Sequence, residues 1–277
     1  MPIVAYQGVP GANSEAATYG YFGADVEPLP CPTFAALFAA VREGRAAYGV
    51  VPIENSLAGS VIENYDLLAK EEVAIVGELF LRIRYQLLAL PGVALEDVRR
   101  VYSHPQALAQ SQDFLAAHPA MTPVADFDTA GAARLVAEQG WRDAAAIAPP
   151  RAGLRYGLVP LVDDVQSHAE NYTRMVIISR EACEPAAGEG AILKTSVIAG
   201  LRHEVGSLAT LLDVLRDARV NLTKIESRPV VGEPWVYRFF LDWEGLLDPE
   251  HLATAQAVTT YWKCLGIYPR GRVIDGS

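Results

Sequence analysis

Val51-Pro52-Ile53-Glu54-Asn55-Ser56-Leu57-Ala58-Gly59-Ser60-Val61 runs from an apolar stretch through a polar cluster into a helical pattern. Residues 49–53 read as a strand, and Val61, Tyr65 and Leu68 recur at helical spacing on one side. A strand passing directly into a helix is the unit of an α/β fold. Polar groups at the strand's carboxyl end project into the crevice of an open sheet. Glu54, Asn55 and Ser56 occupy that position. A turn whose backbone is satisfied by Asn55 and Ser56 accounts for the same residues equally well.

The same alternation extends in both directions. Short apolar runs at 3–6, 73–76, 101–103, 145–148 and 174–179 read as strands. Between them lie helices: Phe34, Leu37, Phe38 and Val41 make one apolar face with Thr33 as N-cap, and Ala132, Leu135 and Val136 make another, opened by Asp128. Strand–helix alternation predicts a mostly parallel sheet with helices on both faces. The stretch is longer than one small sheet needs, so it divides into two lobes with a cleft between them. Residues 184–190 (EPAAGEG) have no periodicity and read as a linker. Beyond it the order is strand 192–201, helix 205–218, strand 221–231, strand 234–243, helix 249–265 and strand 267–273, with Gly232-Glu233 as a turn. That is a βαββαβ, ferredoxin-like plait of about 80 residues.

Bulk properties narrow the function. The chain has 277 residues, is 51% hydrophobic and 20% charged, and carries a net charge of −10. Such a balance disfavours nucleic acid and anionic membranes as partners, since no basic stripe is available for phosphates. It does not disfavour an anionic small molecule, because a local arginine outweighs a distant field. Cys31, Cys183 and Cys264 are widely spaced, and His104, His118, His168, His203 and His251 show no ligand spacing, so neither a disulfide framework nor a metal site is expected. The start, MPIVAYQG, lacks a basic and apolar leader pattern, and no run reaches membrane-spanning length, so the expected compartment is the cytoplasm.

Further segments join the opening one as sites of chemistry. In Tyr6-Gln7-Gly8-Val9-Pro10-Gly11-Ala12-Asn13-Ser14, glycines after a strand and before a helix let backbone N–H groups meet an anion. A tight βα turn with Ser14 as N-cap explains it too. In Ser103-His104-Pro105-Gln106-Ala107-Leu108-Ala109-Gln110, Pro105 fits the first helical position, and Gln106 and Gln110 share a face. His104 has the chemistry of a general acid, but a lone histidine beside a proline is more often a capping or surface group. In Asn171-Tyr172-Thr173-Arg174-Met175-Val176, a threonine and an arginine head an apolar strand, and an arginine there needs a partner or an anion.

In this order and spacing the segments resemble the prephenate dehydratase family. The likeness is carried by the turn at 8–14, PIENS at 52–56, SHPQALxQ at 103–110, DTAxAA at 128–133, AAIA at 145–148 and NxTR at 171–174. The plait resembles an ACT regulatory domain, through a helix start at 206–212 and NLTxIESRP at 221–229. There are departures. Met175 stands where the family usually has phenylalanine, Pro149 where it has serine after AAIA, and Ser207 where the regulatory domain has alanine.

The resemblance implies a two-lobed, periplasmic-binding-protein-like catalytic domain at 1–183, a linker at 184–190 and an ACT domain at 191–277. It implies conversion of prephenate to phenylpyruvate in phenylalanine biosynthesis, with no cofactor and no metal, because aromatisation of the ring drives the loss of hydroxide and CO₂. Thr173 would serve the departing oxygen and Arg174 a carboxylate. Asn55, Ser103 and Gln110 would orient the substrate, with Gly11, Ala12, Glu54 and Ser56 around it. L-Phenylalanine would bind at Gly206, Ser207, Leu208, Ala209, Asn221, Leu222, Glu226, Ser227, Arg228 and Pro229, between copies in a dimer or tetramer, and would inhibit through a lobe rearrangement near the linker. The alternatives are arogenate as substrate, or a non-catalytic binding protein built on the same two lobes.

Overall fold

A computed structural model describes residues 1–182, 191–230 and 232–276; the linker expected at 184–190 lies outside them. From the N-terminus the chain forms β1 (Ile3–Gln7), α1 (Asn13–Phe22), β2 (Glu27–Cys31), α2 (Phe34–Arg42), β3 (Tyr48–Asn55), the short β4 (Gly59–Ser60), α3 (Ile62–Lys70) and β5 (Ala74–Arg82). Next come β6 (Gln86–Ala89), β7 (Arg100–Ser103), α4 (Pro105–Gln110), α5 (Gln112–Ala117), β8 (Thr122–Ala125), α6 (Thr129–Gln139), β9 (Ala144–Ala148), α7 (Pro150–Tyr156), β10 (Val159–Val162) and β11 (Tyr172–Ser179). The rest forms β12 (Leu193–Gly200), α8 (Ser207–Asp217), β13 (Asn221–Pro229), β14 (Tyr237–Glu244), α9 (Pro249–Ala257), β15 (Tyr261–Pro269) and β16 (Val273–Asp275).

The chain gathers into two compact units. One comprises Met1–Asn64, Leu79–Val176 and the residues from Arg272 on; the other comprises Tyr65–Glu78 and the described residues from Ile177 to Gly271. The first unit carries two sheets, which are the two lobes expected. One has the order β16-β5-β11-β3-β1-β2, with β4 beside β3, and the other β10-β6-β9-β7-β8. Strand β1 pairs in parallel with β2 and β3, and β16 with β5. The second sheet is mixed: β7 is parallel to β8 and β9, while β6 runs antiparallel to β9 and β10. The expectation of a mostly parallel sheet therefore does not hold for it.

Side-chain patterning explains the packing. Thr33 accepts a hydrogen bond from Ala36 N at 3.1 Å and starts α2, whose Leu37, Phe38 and Val41 are buried. In the second sheet, Ala130, Ala132, Ala133 and Val136 of α6 meet Ala144, Ala146 and Ala148 of β9. Small residues on both surfaces bring helix and strand close together.

The second unit contains the plait, with sheet order β13-β14-β12-β15. This is the ferredoxin-like arrangement, cored by Val197, Ala199, Leu211, Leu215, Leu241 and Trp243. Two expected elements differ. Helix α9 ends at Ala257 rather than 265, because Tyr261–Pro269 pairs along the whole of β12. Aromatic and β-branched residues from Thr259 to Trp262 favour that choice. The strand expected at 267–273 is two strands, β15 in the plait and β16 in the first sheet. Within the second unit, buried Lys194 meets Glu78 at 3.1 Å, and Gly271 N donates to the other oxygen of that carboxylate. The buried pair is thus hydrogen-bonded as well as neutralised.

Candidate active site

Both sheets of the first unit end on a cleft of about 560 Å³. It is lined from the end of β1 by Gln7 and from the turn after it by Gly8, from β3 by Asn55, from β11 by Thr173 and Met175, and from α4 by Gln106 and Gln110.

The glycine turn after β1 is built for close approach. Gly8 and Gly11 have φ of +116° and +95°. A Cβ on Gly11 would lie 3.0 Å from Ala152 Cα in α7, so the turn sits directly on that helix. Glu15 accepts from Gly11 N at 2.8 Å and from Arg151 Nε at 3.0 Å, and the Tyr156 hydroxyl donates to Pro10 O at 2.6 Å. Ser14 does not cap α1 as expected; the N-cap is Ala12, which has no side-chain bond to offer. The first-turn N–H groups of α1 thus have no side-chain cap from Ala12, and Ala12, Asn13 and Ser14 line the cleft.

Helices α2, α3, α4 and α6 also begin at this wall, through Thr33 and Phe34, Val61 and Glu63, His104 and Gln106, and Asp128 and Thr129. Three of these starts are capped internally: Thr33 by accepting from Ala36 N, His104 Nδ1 from Gln106 N at 3.2 Å, and Asp128 from Gly131 N. Burial pushes the Asp128 carboxyl up from its ordinary value, and the Gly131 N–H pulls it back. Among the described residues the lining contains no lysine or arginine, so the donors it offers an anion are neutral side chains and backbone N–H groups at helix starts. Tyr85, also on the wall, has its phenol pushed up by burial and stays neutral at physiological pH.

At the floor, Asn55 Oδ1 accepts from Leu57 N at 3.1 Å and Ala58 N at 2.9 Å. Its Nδ2 reaches Asn171 Oδ1 at 2.8 Å, Tyr172 O at 3.1 Å and Thr173 Oγ1 at 3.1 Å. Asn171 Nδ2 donates to Gln110 Oε1 at 3.1 Å, and Gln110 Nε2 donates to Asn55 Oδ1 at 3.3 Å. The structure thus brings together Asn55, Gln110 and Thr173, far apart in sequence, and sets Ala12 on the same wall.

Other expected site residues lie elsewhere. Strand alternation turns Thr173 and Met175 to the cleft and buried Arg174 to the opposite face. Ser103 is fully buried and donates to Ile147 O at 2.5 Å, tying β7 to β9. Exposed Ser56 braces β11, accepting from Tyr172 N at 3.0 Å. Glu54 sits in the β3–β4 pairing opposite Ser60, and Gly11 supports the turn from behind. Asn171 had no role in the sequence reading. Its signal was there, since Asn171 immediately precedes β11 and stands two residues before Thr173, on the same side by strand alternation.

In the second unit, Gly206 is the N-cap of α8 at φ +86°, with open space at its Cβ position. Ser207 Oγ donates to Glu204 O at 3.1 Å, Leu208 is half-buried, and Ala209, Asn221, Ser227 and Pro229 are exposed. Leu222 is half-buried along edge strand β13, and Glu226 lies 3.6 Å from Lys224 Nζ. Arg228 makes paired bonds of 3.2 and 3.1 Å to Asp66 of α3, so its guanidinium is engaged within the protein.

Residues 4–183 match the family model described as prephenate dehydratase. The chain belongs to the prephenate dehydratase family. Its members are lyases of aromatic amino acid biosynthesis that dehydrate and decarboxylate their substrate. Over 279 residues the chain is 40% identical to arogenate dehydratase/prephenate dehydratase 2, chloroplastic, of Arabidopsis thaliana, covering 96% of this chain and 72% of that one. A prephenate dehydratase of Arthrobacter aurescens, solved in complex with L-Phe, is 31% identical with a TM-score of 0.87, covering 96% and 89% of the two chains. A structure described as GqqA, a novel type of quorum quenching acylase, is 35% identical with a TM-score of 0.87, covering 97% and 98%. No described helix is long and apolar enough to cross a membrane.

Proposed function

We propose that the chain is a prephenate dehydratase in the strict sense, taking prephenate to phenylpyruvate. The observation that carries it is Thr173 Oγ1, bonded by Asn55 in a cleft onto which the uncapped start of α1 opens. The ring carboxylate leaves as CO₂, its bonding pair enters the ring, and the 4-hydroxyl departs with a proton as water. Thr173 accepts from Asn55 Nδ2, which leaves its own O–H free to donate to the departing oxygen. A threonine hydroxyl is too weak an acid to act alone, so it relays a proton or stabilises charge. The N–H groups of α1 suit a substrate carboxylate. The cleft-facing hydroxyl of Thr173 meets an amide and buried Ser103 meets a backbone carbonyl, and neither partner is the base an acyl-transfer nucleophile needs.

The discriminating experiment offers purified protein prephenate and arogenate separately, following phenylpyruvate absorbance and phenylalanine release. Higher kcat/KM on prephenate is expected. Preference for arogenate would move the chain to arogenate dehydratase, and consumption of neither would sink the assignment.

We infer also that the plait is an ACT-type module through which L-phenylalanine inhibits the enzyme as a dimer or tetramer. Support comes from the plait topology and the exposed Gly206 and Asn221 segments. The Arthrobacter relative solved with L-Phe adds to it. Calorimetric titration of phenylalanine into the wild type and Asn221→Ala, with sedimentation of both, tests it. Unchanged affinity in Asn221→Ala would remove that site. The cytoplasmic location belongs to the same proposal; the Arabidopsis relative is named chloroplastic, and fractionation of the source cells decides it.

A further inference from the structure

Asn55, Gln110 and Asn171 form a closed ring of amides. Asn55 Oδ1 takes two backbone N–H groups, from Leu57 and Ala58, and a backbone N–H can only donate. That fixes which end of Asn55 is the carbonyl, without appeal to the look of the amide itself. Its Nδ2 must then face Asn171 Oδ1, at 2.8 Å. Asn171 is left with its Nδ2 toward Gln110, whose Oε1 accepts at 3.1 Å. Gln110 Nε2 returns to Asn55 Oδ1 at 3.3 Å, and the ring closes. Every amide in it gives one N–H and takes one, so two backbone groups set the polarity of all three.

Asn55 and Gln110 line the cleft, whereas Asn171 is fully buried and does not. We propose that Asn171 is a positioning residue for the dehydration, holding Gln110 so that an N–H rather than a carbonyl faces the substrate. With Oε1 turned to Asn171, Gln110 has one Nε2 hydrogen in the ring and one over. The carboxylates and the hydroxyl of the substrate present oxygen, which an N–H attracts and a carbonyl repels. Family membership supplies the reaction; the inference also rests on the proposal that Thr173 marks the reacting end of the cleft.

Asn171→Asp is the isosteric probe. In its ionised form the carboxylate still accepts from Asn55 but faces Gln110 Oε1 with another acceptor, so Gln110 must turn, and the kinetics are followed to high pH because burial favours the neutral acid. Folding is checked by circular dichroism and thermal melting, and kinetics are read for Asn171→Asp, Asn171→Ala, Gln110→Ala, the double alanine variant and Thr173→Val. Folded Asn171→Asp should lose about 10²-fold in kcat/KM. In the Gln110→Ala background, Asn171→Ala should cost no more than about twofold, since residues acting through one another do not add. Wild-type-like kinetics in Asn171→Asp, or full additivity of the two alanine replacements, would overturn the role of Asn171. Unimpaired Thr173→Val would instead sink the placement of the reacting end, and the cycle would still report on Asn171. If Asn171→Ala fails to fold, the isosteric variant alone decides.

Discussion

Asn55 Nδ2 lies 3.1 Å from Thr173 Oγ1 across 118 residues of sequence, and that bond assigns the threonine as acceptor toward the protein. The hydroxyl proton is thereby aimed away from Asn55, into the cleft that Thr173 lines. Thr173→Val keeps the side chain's shape and removes the hydroxyl. It is expected to lower kcat by about 10²–10³-fold with little change in KM, as befits a bond made in the transition state. Steady-state kinetics on the folded variant check this, and turnover equal to wild type would take Thr173 out of the mechanism.

Gly11 offers a separate test of the turn that starts α1. At φ +95°, with Ala152 Cα 3.0 Å from where a Cβ would stand, Gly11→Ala is strained twice over. The turn must lift from α7 and carry the α1 N–H groups with it. A stability loss of about 1–3 kcal/mol is expected. KM should rise more than kcat falls, because the displaced groups bind rather than react. Urea melts with kinetics distinguish this from a purely structural defect, in which KM would not move.

The sequence disclosed the strand-to-helix order and the polar strand ends, and it misled where context decides. Strands β2, β8 and β10 each contain proline, at Pro28 and Pro30, Pro123, and Pro160, which argues against a strand in isolation. All three sit at sheet edges, where a missing N–H costs no ladder bond. Cleft geometry was legible at Asn55, Gln110 and Thr173. Arg174 was assigned by its charge, and the two-residue period of its strand would have turned it away from Thr173's face. Nothing local in the sequence announces that Asn171 closes a ring with residues over 60 and over 100 positions distant, at separations of 61 and 116.

Asp164 gives the pH dependence a definite sign. Paired bonds of 2.9 and 2.7 Å from Arg84, with help from Gln166, hold its carboxyl down at about 2. A depressed folded value means the stabilisation is present above the unfolded carboxylate value of about 3.9 and is lost as pH falls through the folded value. Arg84 and Asp164 side chains are 35% and 49% exposed, so solvent screening limits the effect to under about 1 kcal/mol. Asp164→Asn should therefore lower the denaturation midpoint slightly at pH 7, with the difference shrinking as pH falls toward 2 and vanishing only below it. An equal loss at both values would mean that the effect is not the carboxylate's charge.

Strand β16 makes the first unit depend on residues 273–275. Val273, Ile274 and Asp275 pair in parallel with Phe80, Leu81 and Arg82 of β5, and Phe80 N donates to Arg272 O at 3.0 Å. Ile274 fills the space above Gly20, where a Cβ would collide with Ile274 Cδ1. A protein cut near Cys183, which the sequence suggested would retain the whole catalytic domain, lacks this edge strand. Deleting everything after Gly271 in the full chain isolates the effect, because the plait strands β12–β15 are kept. The deletion exposes the side of β5 that β16 covers and removes the apolar contact of Ile274, so it should cost about 1–3 kcal/mol. Gly20→Ala should cost a comparable amount in the full chain, since Ile274 must move. In the deleted chain the obstacle is gone and the same substitution should be nearly silent. Urea denaturation of the four proteins measures this, and a Gly20→Ala penalty that persists without β16 would mean that the strand does not pack there.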